Sequence, residues 1–202
     1  MTPSRIYVAC CLLVAFVQYW YLFTARQLTV HAMTPAWLLP IFPIMLAGTI
    51  ATLIAADQPP VQRLPIIVAG VTFQGLGMLV AMLMYSILIV RLMQFGLPAP
   101  NLTPGMFITV GPPSFTGLAL IGMSRSLPEG YGYFATYPAA IPALRGVALF
   151  AAIFLWALGL WWFAISLITV LAASREMTFH LVWWAFVFPV SRACRSALVV
   201  CC

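Results

Sequence analysis

Five long stretches of this chain contain no Asp, Glu, Lys or Arg: Ile6–Ala25, Gln27–Ala56, Leu64–Val90, Leu92–Ser124 and Gly146–Ser174. A helix needs about 20 mostly apolar residues to cross the hydrocarbon of a bilayer, and each window is long enough. They are spans A to E. A sixth window, Met177–Ser191, is shorter; Arg192 and Arg195 interrupt it before Ser196–Cys202 turns apolar again, and it is span F. The expected fold class is therefore all-α: a polytopic membrane helix bundle of about six transmembrane helices, forming a single transmembrane domain over residues 1–202.

Composition excludes the main alternatives. Hydrophobic residues make up 64% of the chain and charged ones 6%, against roughly a quarter charged in a soluble domain. So few charges cannot coat a water-facing surface. The nine basic residues are all Arg and form no tract long enough to grip the phosphates of a nucleic acid, so no nucleic acid partner is expected; the lipid bilayer is. Cys10 with Cys11, Cys194, and Cys201 with Cys202 match neither a zinc spacing nor a CxxC redox motif, and no metal or cofactor is expected. No cleavable signal peptide is expected, because the apolar run after Arg5 is longer than a signal core and lacks a small-residue cleavage site.

The connections are short and polar at Arg26–Thr34, Asp57–Arg63 and Arg175–Glu176, as a tight bundle requires. Between C and D lie the turn formers Gln94, Gly96, Pro98, Pro100 and Asn101, and the longest loop runs from Arg125 to about Ala143. Its Gly130–Tyr133 run and Tyr137 read as an interfacial aromatic segment, since Tyr rings settle at the headgroup level.

Prolines divide the spans into two kinds. A, C and E have none in their hydrophobic centres, whereas B carries Pro40 and Pro43, D carries Pro112 and Pro113, and F carries Pro189. Pro40 and Pro112 stand 72 residues apart and Pro112 and Pro189 stand 77 apart, the length of one helical hairpin, as an internal repeat predicts. A proline inside a helix removes a backbone donor and displaces a carbonyl, and in hydrocarbon the released groups need protein, water or solute as partners. B, D and F are accordingly expected to form an inner, solute-facing ring, with A, C and E facing lipid. Around the prolines, small and hydroxylated residues cluster in Met45–Ala51 and Gly111–Gly117. The candidate lining residues are Pro40, Pro43, Gly48, Thr49, Thr109, Gly111, Pro112, Ser114, Thr116 and Pro189. No acidic or basic residue lies near the middle of A to E, so the intramembrane carboxylates of cation pumps are missing. Hydroxyls and backbone dipoles without fixed charge suit a weakly held anion.

Three stretches resemble a known family: TPAWLLPIFPIMLAGT (34–49) in B, GMFITVGPPSFTG (105–117) in D and FHLVWWAFVFP (179–189) in F. The chain is similar to the tellurite-resistance and dicarboxylate transporters, also called voltage-dependent or slow anion channels, and specifically to their fungal malic acid transporter branch. The similarity covers residues 1 to about 189. It implies ten helices arranged as five hairpins around a central pore, with spans A to F as helices four to nine and B, D and F on the inside. It also implies a phenylalanine gate on helix nine, whose matching position is Phe188, and a trimeric homo-oligomer. The chain is expected to be a fragment that lacks helices one, two, three and ten, with an aberrant tail over 190–202. Arg5, Arg63, Arg125 and Arg145 on one face against Arg26, Arg91 and Arg175 on the other do not fix orientation by the positive-inside rule; the resemblance places the start of span A outside.

The expected function is transmembrane transport of a small organic or inorganic anion, malate or another C4-dicarboxylate first, at the plasma membrane. Sulfite efflux and an inactive truncated fragment are the alternatives. An enzyme is not expected: the titratable candidates His31, Asp57, Glu129, Glu176 and His180 are spread over separate connections, without a shared catalytic geometry.

Overall fold

The computed structural model describes residues 3–25, 29–179, 181–187, 191 and 194, and the described residues fall in helices and the turns and irregular connections between them. The α-helices are α1 (Pro3–Ala25), α2 (Phe42–Ala55), α3 (Pro60–Phe95), α4 (Gly111–Arg125), the single-turn α5 (Tyr133–Thr136) and α6 (Ala140–Ala173). Four 3₁₀ stretches accompany them, at Val30–Ala32, Pro35–Ile41, Pro100–Val110 and Leu181–Phe186. Five segments are long and apolar enough to cross a membrane: Ile6–Thr24, Pro35–Ala55, Pro60–Phe95, Pro100–Arg125 and Ala140–Ala173. They correspond to spans A to E. Of span F, residues 177–179, 181–187 and 191 are described.

Spans C and E are long and one-sided. Ile67, Gly70, Gln74, Gly77, Ala81, Met84 and Leu88 are the buried stripe of α3, spaced alternately three and four residues apart, which is one face of a helix. On α6 the same spacing links the buried Ala148, Ala152, Gly159, Trp162, Ser166 and Thr169. The opposite faces expose large apolar side chains such as Leu79, Leu83, Phe150, Phe154 and Ile168, which only lipid or further protein could cover. Both helices outrun the charge-free windows. Arg63 lies inside α3 but turns its guanidinium back to the carbonyls of Ala56 and Gln58, and Arg91 donates to the Gly96 carbonyl at 2.7 Å. At Gly96 the backbone takes φ 72°, a conformation glycine adopts without a Cβ clash, and its N–H closes the helix on the Leu92 carbonyl. Arg145 likewise falls within α6, which starts at Ala140, earlier than the sequence window suggests.

Spans B and D are built differently. Each begins as a 3₁₀ helix and changes to an α-helix immediately before a proline, at Phe42–Pro43 and at Gly111–Pro112. Proline is tolerated in the first turn of an α-helix, where its missing N–H has no intrahelical acceptor to serve. The 3₁₀ half rises about 2.0 Å per residue against 1.5 Å in the α half, so the 21 residues of span B reach about 35 Å. The inner character of these spans shows in their burial. Within the apolar windows, 56% of B and 83% of D is buried, against 11% of A, 39% of C and 22% of E. Span D lies at the centre of the described bundle, packed on α2, α3 and α6, while the 3₁₀ stretch Leu181–Phe186 packs on Pro100–Val110.

Candidate functional site: the proline-bearing spans

The winding change redistributes backbone hydrogen bonds. Immediately before each proline, the Phe42 N–H donates to the Leu39 carbonyl and the Gly111 N–H to the Ile108 carbonyl, each three residues back. Other carbonyls are left over. Thr109 would accept from residue 112 in a 3₁₀ helix and from residue 113 in an α-helix, and both are proline. Its carbonyl is taken instead by the hydroxyl of Tyr85 on α3, which donates at 2.7 Å from a fully buried position. Trp37 lies three residues before Pro40 and so lacks a 3₁₀ donor; Tyr19 on α1 donates to its carbonyl at 3.0 Å. The released groups are carbonyls, and in both spans a tyrosine of the preceding outer helix satisfies one.

The candidate lining residues fall into separate surroundings. Pro40 sits inside a 3₁₀ stretch and Pro43 at the start of α2, both half-buried. Gly111 meets the ring of Phe42: a methyl there would come within 2.9 Å of Phe42 Cζ. Phe42 also packs edge-on against Phe115 with ring centroids 6.0 Å apart, so the two winding switches touch. Pro112 is buried beside them. Gly48 lies against α3, where a Cβ would stand 2.5 Å from Gln74 Oε1 and 2.9 Å from the Gly70 carbonyl oxygen. Thr116 is drawn to the same place, accepting from Gln74 Nε2 at 3.0 Å. Two residues earlier on α4, Ser114 lies near Gly159 of α6. The two hydroxyls therefore face different neighbours, as a two-residue step around a helix requires. Each lining hydroxyl donates to a carbonyl of its own helix: Thr49 to Met45, Thr109 to Met106, Ser114 to Val110 and Thr116 to Pro112. Pro189 and the gate candidate Phe188 lie outside the described residues.

Three residues absent from the sequence reading matter here. Gln74 is 1% exposed, and its Oε1 has no hydrogen-bond partner among the described residues. An amide in an apolar span, with Gly70 and Gly77 four residues before and three after, was the available signal, because small residues let helices approach and polar ones join them. Tyr85 and Tyr19 were legible only once the proline-released carbonyls were assigned. The titratable groups remain dispersed: His31 packs edge-on against Phe95, Glu129 pairs with Arg145 at 3.3 Å on the exposed DE segment, and no cluster able to hold a metal occurs among the described residues. Cys10, Cys11 and Cys194 are free thiols. Tyr133 and Tyr137, more than half exposed, pack with ring centroids 5.0 Å apart in the DE segment.

A bundle of apolar spans without charge at their centres, the inner ones carrying prolines and the outer ones one-sided, is the architecture of a polytopic membrane protein. Comparison with known proteins gives the family: the profile of the voltage-dependent anion channels matches residues 4–199, and the chain belongs to that family. It is 35% identical over 187 residues to the malic acid transport protein of Schizosaccharomyces pombe, covering 91% of this chain and 43% of that protein. A second S. pombe protein named for malic acid transport is 34% identical over 184 residues, covering 90% of this chain and 42% of its own length. An uncharacterized transporter of Methanocaldococcus jannaschii is 23% identical over 183 residues, 89% of this chain and 49% of that protein. The chain thus spans less than half the length of the curated relatives it matches. No solved structure matches it.

Proposed function

We propose that this chain supplies part of a transmembrane path for malate or a related C4-dicarboxylate, in the plasma membrane and within a homo-oligomeric, trimeric assembly. The observation that carries the reading is span D, 83% buried, uncharged before Arg125 and rich in hydroxyls and glycine. Its likeness to proteins named for malic acid transport supplies the substrate class. An anion entering such a path meets no carboxylate to repel it. Its water shell is replaced in part by hydroxyls that turn from their own carbonyls toward the solute. Pro40, Pro43, Gly48, Thr49, Thr109, Gly111, Pro112, Ser114, Thr116 and Pro189 are the lining residues of this proposal, and Phe188 is its gate.

The experiment is uptake and release of labelled malate and of sulfite by cells that lack carriers of their own and express the chain. Malate flux above the empty-vector level is the expected result. Flux of sulfite alone would reassign the substrate, and flux of neither would count against the proposed function. In cells that conduct, Phe188→Ala raises malate flux if Phe188 occludes the path; unchanged flux removes it from the mechanism.

A further inference from the structure

The connection between spans D and E encloses a half-open cavity of about 390 Å³, within the roughly 300–1,000 Å³ of small-molecule sites. Phe134 and Ala135 of α5 face Pro138, Ile141 and Pro142 at the start of α6 across it. Phe134 and Ile141 are buried in the cluster that holds Met123 and Leu127, so the floor is part of the packed bundle. The charged side chains lining the cavity are Glu129 and Arg145, 74% and 43% exposed. Its depth is that of the lipid headgroups. The 34 residues of α6 make a rod of about 51 Å, against about 30 Å of hydrocarbon. Arg145 is the only charged residue of that helix, and the charge-free turns beyond it are long enough to cross the hydrocarbon alone. Tyr133 packs on Phe134 and on the exposed Tyr137, with ring centroids 5.8 and 5.0 Å apart, and such rings settle at the membrane boundary.

The two charges form a pair that is easily reopened. Arg145 donates from Nε to the Ser124 carbonyl and from Nη2 to Glu129, both at 3.3 Å, and its Nη1 has no hydrogen-bond partner among the described residues. An exposed ion pair of this length contributes little. A cation and an anion side by side over an apolar floor complement a zwitterion, the guanidinium meeting a phosphodiester and the carboxylate a primary ammonium. Beyond Arg145 the same face of α6 continues through Leu149, Ile153, Trp156 and Leu160, at steps of four, four, three and four residues. All four are exposed, and they make an apolar track leading into the hydrocarbon.

We propose that this cavity binds the headgroup of a zwitterionic phospholipid with a primary ammonium, of the phosphatidylethanolamine class, one acyl chain lying along the apolar track of α6. The phosphate takes the free Nη1 of Arg145 and the ammonium takes Glu129. Arg145 Nε keeps its bond to Ser124, so the bound lipid is tied to the end of span D. A headgroup with net negative charge gains the arginine but meets the Glu129 carboxylate, which sets the preference for a zwitterion.

The test is a titration of the whole chain in detergent micelles with dioleoyl phosphatidylethanolamine or dioleoyl phosphatidylglycerol, read as lipid-bound mass in native mass spectrometry. Phosphatidylethanolamine should bind about threefold more tightly, the size of one exposed ionic contact. Glu129→Gln should bring the two lipids level, and Arg145→Gln should weaken phosphatidylethanolamine about tenfold, the size of a charge-assisted hydrogen bond. Equal binding of both lipids by the unaltered chain, or unchanged binding by Arg145→Gln, would overturn the assignment. Should Arg145→Gln fail to fold, Ala135→Trp decides: it fills the cavity and leaves both charges, so it should abolish the preference, and a preference kept places the lipid elsewhere. Glycerophosphoethanolamine, the same headgroup without chains, should compete about 100-fold less well; equal competition would give the cavity to a soluble phosphodiester instead. Dimers that carry no lipid would give this face to a second copy of the chain. No readout requires transport, so absence of malate flux would count against the proposed function and leave this inference standing.

Discussion

Spans B and D share a plan and differ in how far the protein encloses it. Both wind as 3₁₀ helices up to a proline and as α-helices beyond it. D is held between α3 and α6 and is 83% buried; B lies between α3 and α1, which is itself only 11% buried, and reaches 56%. The backbone follows the enclosure. D carries two consecutive prolines, which strip the Thr109 carbonyl of both possible helical donors, and a fully buried tyrosine replaces them. In B the Trp37 carbonyl keeps the N–H of Ile41 as a possible donor, and the tyrosine that reaches it is only partly buried. Where protein covers a span on both sides, more of its own hydrogen bonding can be given over to neighbours.

The largest effect is expected where the two spans meet α3. At Gly48 a Cβ would press on the Gly70 carbonyl oxygen and on Gln74, and backbone cannot yield as a side-chain tip can. Gly48→Ala should therefore cost about 3 kcal/mol, near the upper end for overpacking a core, measured by denaturation in mixed micelles. A cost below about 1 kcal/mol would mean that α2 is free to slide on α3. Next comes Tyr85→Phe, which leaves the Thr109 carbonyl without a donor inside the bundle, for about 2 kcal/mol. Tyr19→Phe should cost less, about 0.5–1 kcal/mol, because the carbonyl it serves has an alternative and its site is partly open. If the two tyrosine variants cost the same, enclosure does not govern how these spans tolerate proline.

Much of this plan was legible in the sequence, and what was missed has a common cause. Windows without charge located spans A to E, and the prolines separated B and D from A, C and E before burial bore out the division. The ends of α3 and α6 were drawn short, because Arg63, Arg91 and Arg145 were read as boundaries while their side chains allow helices to pass beneath them. The lining residues were chosen by type, and type does not say which way a helix turns: Ser114 and Thr116 differ by two positions and face different helices. Proline chemistry announced that carbonyls would be released, but the donors lie 18 and 24 residues upstream, on other helices. Only the packed bundle connects them.

The smallest effect belongs to a side chain of α3 that touches both spans. Gln74 faces Gly48 of B and donates to Thr116 of D, yet its Oε1 is buried with no hydrogen-bond partner among the described residues. Substitution by leucine removes the favourable bond and the unpaired oxygen together. Interhelical hydrogen bonds in membrane proteins are worth about 0.6 kcal/mol on average, and relief of a buried acceptor works in the opposite direction. Gln74→Leu should thus change stability by no more than about 1 kcal/mol in either direction. Gln74→Ala also empties the space between α2 and α3, and should cost more than the leucine variant by an amount that grows with the cavity left. If leucine instead proves as damaging as Gly48→Ala, the Gln74 amide is what holds B and D in register across α3. The difference in enclosure between the two spans would then follow from that polar joint rather than from the packing around it.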